Sequence, residues 1–179
     1  LAGVCDGLPA IEAVGGLVPA VKRLQAVLAR RDACWARAKS LQGPRRAAAL
    51  GEGLAAMKLG LGPGKIYQGV IDEIQAADPS DESGYLGHFT FSRDALLGMV
   101  QDKAGRNEHA AAEAELQRWN RNTRLDNTQR QELQAARFAL YQRWPERKAE
   151  ARKALQEMRD IDPKSDLGRA AATYLGLLK

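Results

Sequence analysis

Histidine, cysteine and clustered acids are the residues of this chain that could do chemistry, and each group lacks the neighbours that would commit it. The two histidines, His88 and His109, lie on different segments. A zinc site needs further Cys, His, Asp or Glu ligands at supportive spacing, such as His-Glu-x-x-His or paired Cys-x-x-Cys, and neither motif occurs. His88 lies among Tyr85, Phe89 and Phe91, whose rings could shape a small pocket for a ligand or partner. Glu108-His109 reads as a solvated pair on a helix. Cys5 and Cys34 are the only cysteines. One disulfide between them and two small apolar side chains are both open readings.

Other chemistries fail on sequence context. No Gly-x-Ser-x-Gly is present, so the strained nucleophile turn of a hydrolase is not written here. Gly64-Lys65 ends a glycine-rich run but is followed by Ile66, whereas a phosphate loop requires Ser or Thr there and a preceding strand. The run reads as a turn between helices. Asp78, Asp81, Glu82 and Asp94 gather around the central segment without the spacing of a calcium loop. Trp119 among Arg118, Arg121 and Arg124 has the composition of a base-stacking surface, but large rings on helices usually bury against neighbouring helices. The expectation is a non-enzymatic protein with no metal and no cofactor.

The elements that must position these residues are helices. Apolar residues recur at three- and four-residue spacing over 9–41, 45–59, 65–77, 93–103, 107–122, 128–143, 145–161 and 165–178. Pro19 suits the first turn of the first segment. Gly43-Pro44 ends it, and Ser92 is a candidate N-cap for the helix over 93–103. Residues 80–91 break the pattern and are expected to be irregular, with an extended piece at Phe89-Thr90-Phe91 or a short helix as alternatives. The expected fold is all-α, a single domain over 1–179 built from seven or eight helices in antiparallel hairpins, because the links are short.

Charge is unevenly placed. Lys and Arg number 27 against 22 Asp and Glu, for a net +5. The ends are basic and the middle, over 61–105, is acidic. Toward the C-terminus, Glu146, Glu150 and Glu157 sit within a helical turn of Lys148 or Lys153, the spacing of a solvated, ion-paired face. Nucleic-acid binding is therefore not the expectation. No run approaches the roughly 18 apolar residues of a transmembrane helix. The chain begins at Leu1 without Met, from which an upstream segment is expected, and the opening residues through Cys5 miss a lipoprotein processing site at Val4.

One pattern repeats. Ile71-x-Glu73-Ile74-x3-Asp78-Pro79-x4-Gly84 returns as Leu155-x-Glu157-Met158-x3-Asp162-Pro163-x4-Gly168. Proline disfavours helical geometry at the residue before it, so each helix is expected to stop at its aspartate. Counted back from Pro163, Ala151, Leu155, Met158, Phe138 and Ala139 take positions that resemble those of a tetratricopeptide repeat. Leu54, Ala55, Ile71, Ile74 and Pro79 repeat the spacing. The stretches 45–79 and 128–163 thus resemble degenerate tetratricopeptide units, although Ala135, Gln142 and Lys58 stand where that family has its aromatic first-helix residues. The C-terminal helix pair also resembles helical regions that precede thioredoxin-like domains in some bacterial envelope proteins. These resemblances imply a solenoid or compact right-handed array that binds a protein or peptide partner on a helical surface, in a bacterial protein of the periplasm or secreted fraction. The alternatives are a basic module for nucleic acid or another anionic polymer, and a helical enzyme with its site near the central segment.

Overall fold

The computed structural model describes residues 17–57 and 67–177. Cys5, Lys58, the glycine-rich run 60–64, Lys65 and Ile66 lie outside the described residues. The described residues form nine α-helices and one 3₁₀ turn, so the all-α expectation holds. Contacts group the chain into two compact units that divide between Leu86 and Gly87.

In the first unit, α1 (Leu17–Ala38) packs on α2 (Gly43–Met57), and α2 packs on α3 (Gln68–Ala77). Gly43 turns the chain at a φ of +56° and α2 follows at once. The buried side of α2 is lined by Ala47, Ala49, Leu50, Leu54, Ala56 and Met57, and Ile74 of α3 is fully buried. Small residues on α2 let its neighbours approach closely. A Cβ at Gly51 would lie 2.2 Å from Cγ of Tyr85, so the glycine is what allows that ring to lie against the helix backbone.

Asp78 ends α3 and organises the turn beyond it. Its side chain is buried, with Oδ1 accepting the N–H of Glu82 at 3.0 Å and Oδ2 that of Ser83 at 2.8 Å. Asp81 Oδ1 accepts the N–H of Leu86 at 2.9 Å, and Gly84 takes a φ of +73°. These bonds lead into α4 (Tyr85–Thr90), so the segment expected to be irregular contains a short helix. Local side-chain acceptors, which a search for apolar periodicity does not register, supply its start.

The second unit is arranged around α7. It contains α5 (Arg93–Gly105), α6 (His109–Asn120), α7 (Asn127–Gln142), the 3₁₀ turn Pro145–Arg147, α8 (Lys148–Ile161) and α9 (Asp166–Leu177). Packed against α7 are α5, α6, α8 and α9, with α9 also on α8. Ser92 caps α5 as expected, its Oγ accepting the N–H of Ala95 at 3.3 Å. Asp126 and Gln129 form a reciprocal capping box at the start of α7, with bonds of 2.9 and 3.0 Å. Leu96, Val100, Leu116, Leu133, Leu140 and Tyr141 fill the main core, and Leu155, Met158 and Ala171 form a second cluster under α9.

Candidate functional site

The rings around His88 take different partners. Tyr85 is buried against Gly51. His88 is buried as well, and its Nδ1 lies 3.0 Å from Oε1 of Gln129, whose Nε2 donates to the His88 carbonyl at 2.7 Å. Because Oε1 can only accept, Nδ1 of His88 carries the hydrogen in this pair. Phe89 meets the imidazole edge-on at 4.9 Å, and Phe91 meets Trp119 edge-on at 5.5 Å. The ring of Trp119 thus packs at the core margin. The neighbouring Arg118 is paired with Glu115 at 2.8 Å.

His109 stacks on Trp144 at 5.2 Å, and the Arg147 guanidinium lies 4.9 Å from the same indole. Tyr141 donates its hydroxyl to Glu113 Oε1 at 2.8 Å. Burial, and then that bond to Glu113, push the Tyr141 phenol above its ordinary range. Arg147 bridges Glu113 at 3.6 Å and Glu150 at 2.7 Å. The hydrogen bond to Arg147 in turn holds Glu150 below the usual carboxylate range. The network ties α6, α7 and the 3₁₀ turn together. Among the described residues no cluster of three or more His, Cys, Asp or Glu could hold a metal ion. Cys34 is half-buried on α1.

A cleft of about 540 Å³ opens elsewhere in the second unit. The end of α6 and the link after it contribute Asn120, Asn122, Thr123 and Leu125; α7 contributes Arg130, Leu133 and Gln134; α8 contributes Glu157, Asp160 and Ile161. Leu125 and Leu133 are buried and give it an apolar floor. The charged groups are engaged by the protein itself. Arg130 donates to the carbonyls of Leu125 at 3.0 Å and Thr123 at 3.2 Å. Glu157 accepts from Arg137 at 3.1 Å and has Lys153 at 3.8 Å, while Asp160 pairs with Arg159 at 2.7 Å.

Side-chain amides, themselves partly bonded within the protein, line the cleft beside these charges. Gln134 donates from Nε2 to Asn120 Oδ1 at 3.4 Å and accepts from Arg137 through Oε1 at 2.9 Å. Asn122 Oδ1 accepts the N–H of Arg124 at 2.9 Å. Side-chain amides carry the same donor and acceptor pair as a peptide bond, so they can match the main chain of an extended segment whatever its side chains. Sequence inspection had no means of finding these residues. Asn120, Asn122, Gln134 and Glu157 come from three separate segments, and an isolated Asn or Gln on a helix has no spacing signature.

No helix among the described residues is long and apolar enough to cross a membrane. Comparison with known protein families, curated proteins and solved structures found no match.

Proposed function

We propose that the chain is a non-enzymatic interaction or scaffolding module whose helical hairpins, of tetratricopeptide-like type, receive a peptide segment of a partner protein in the cleft between the end of α6, α7 and α8. The observation that carries this reading is the pairing pattern of that cleft. Its acids are ion-paired and its arginine is bonded to backbone carbonyls, its floor is apolar, and side-chain amides from the α6 end with its link and from α7 stand around it. Such a lining suits a neutral main chain with an apolar anchor better than an ion. On this reading the protein is bacterial and acts outside the cytoplasm, in keeping with the resemblance of its C-terminal helix pair to envelope proteins.

The test is a peptide array followed by NMR titration of the strongest binder. Amide resonances of Asn120, Asn122, Gln134 and Ile161 are expected to shift, and the double variant Asn120→Ala, Gln134→Ala is expected to lose about tenfold in affinity while keeping its helical spectrum. Shifts confined to other surfaces, or an unchanged affinity in the double variant, would remove the cleft from the proposal.

A further inference from the structure

The first unit carries a surface that the cleft proposal does not use. Along α1, Lys22, Arg23, Arg30 and Arg37 are exposed, and at about 100° per residue they fall within an arc of about 100°. Arg23, Arg30 and Arg37 are each seven residues apart, which places them about 10.5 Å from one another along the helix with only about 20° of drift per step. Ala26, Ala29 and Ala33 lie exposed beside or between them, so nothing bulky stands up from that part of the helix. On the opposite side Leu24, Val27, Leu28 and Trp35 are half-buried.

Among the described residues, carboxylates are scarce around this stripe. Asp32 is the sole acid of α1 and is taken by Arg31 at 2.6 Å. Arg37, at the C-terminal end of the stripe, pairs with Glu52. Glu52 belongs to α2, the helix packed beside α1, so this end of the stripe is already satisfied by an acid presented from a neighbouring helix. Among the described residues, Arg23 reaches only the carbonyl of Pro19 in its own helix, at 3.4 Å. Lys22, Arg23 and Arg30 face no carboxylate within ion-pair distance among the described residues.

We infer that the stripe formed by Lys22, Arg23 and Arg30 docks an acidic helical segment of a partner protein, extending to an intermolecular pair the contact that Glu52 makes with Arg37. Arg23 and Arg30, seven residues apart, match carboxylates seven apart on a helix lying alongside, the register by which charged edges of paired helices choose one another, and Lys22 adds charge beside Arg23. The alanines let the partner backbone come close. Clustered cations that no acid among the described residues pairs repel one another, so an acidic partner relieves that repulsion as well as adding attraction. This surface lies in the first unit and shares no residue with the cleft, so either can fail without the other.

The probe is an Ala-rich helical peptide of about three heptads with Glu at every seventh position. Its binding is read by fluorescence anisotropy at low and at high salt. The full chain is expected to bind it, to bind more weakly as salt rises, and to lose about tenfold when Lys22→Glu, Arg23→Glu and Arg30→Glu are combined. A second variant with Gln at the same three positions is expected to lose a smaller factor. All three side chains are exposed, and circular dichroism of both variants checks that the helices remain. Equal binding by the variants, or by a peptide of the same composition with scrambled Glu positions, would overturn the inference. So would tighter, stripe-dependent binding to vesicles containing phosphatidylserine or to a single-stranded oligonucleotide, which would assign the surface to lipid or nucleic acid.

Discussion

Gln131 of α7 donates from one side-chain nitrogen to two backbone carbonyls at the end of α8, Met158 at 2.8 Å and Asp162 at 3.0 Å. Its Oε1 lies 2.9 Å from the Ser165 hydroxyl, which also caps α9 by accepting the N–H of Gly168 at 2.9 Å. One buried amide thus holds the corner made by Asp162-Pro163. Gln131→Leu keeps the volume and removes the bonds made by Gln131, so the Met158 carbonyl loses this buried donor, while the Asp162 carbonyl still accepts from the N–H and hydroxyl of Ser165. The expected loss is about 2 kcal/mol, read as a lowered midpoint in urea unfolding with an unchanged slope.

The two glycines of the repeated pattern serve different needs. At Gly168 a Cβ would lie 2.0 Å from the carbonyl oxygen of Asp162, a backbone atom that cannot swing aside. Gly84 has a φ of +73° and stands before α4. Gly168→Ala is therefore expected to cost about 1–3 kcal/mol through displacement of the corner. Gly84→Ala is expected to cost about 1–2 kcal/mol through backbone strain. Gly176→Ala, which meets nothing within 4 Å on α9, is expected to be neutral or slightly stabilising. Thermal melts of the three variants give the order.

Asp78 makes the first unit sensitive to acid. Burial pushes its carboxyl up, but the bonds from the N–H groups of Ser83 and Glu82 and from the Ser80 hydroxyl outweigh this and hold it below the usual carboxylate range. A carboxyl lowered in the folded state contributes stability that is complete above its unfolded pKa, about 3.9, and is lost as pH falls through the folded value. Asp78→Asn is expected to cost about 1–3 kcal/mol at pH 7. The gap from the parent is expected to narrow once pH drops below about 3.9. Chemical unfolding of both proteins across pH 2–7 measures it.

Gln129 joins the capping box of α7 to His88. In the parent protein the ¹⁵N shifts of His88 are expected to report hydrogen on Nδ1. Gln129→Ala removes both bonds to that residue and one half of the capping box, at an expected cost of about 2 kcal/mol. A tautomer signal that stays put in the variant would show that Gln129 does not set it.

Much of the fold was legible without coordinates, because helices declare themselves locally. The three- and four-residue spacing of Leu96 and Val100, or of Ala151, Leu155 and Met158, reflects one face of a helix, and these residues are buried. Ser92 and Asp78 acted as their types and positions implied. The segment 80–91 was harder to read, since α4 begins on side-chain acceptors and a left-handed glycine rather than on an apolar stripe.

The sequence by itself determined the helical class, most helix limits and the Asp-Pro stops, all of which depend on residues within a turn or two of one another. Only the tertiary structure decided which side chains meet beyond that distance. It sent Gln131 to the corner after α8, Gln129 to His88, and Tyr85 to the bare backbone at Gly51. It also gathered Asn120, Gln134 and Glu157 around one cleft. A glutamine has no preferred partner until packing supplies one, and that long-range pairing is absent from the local spacing that reveals a helix.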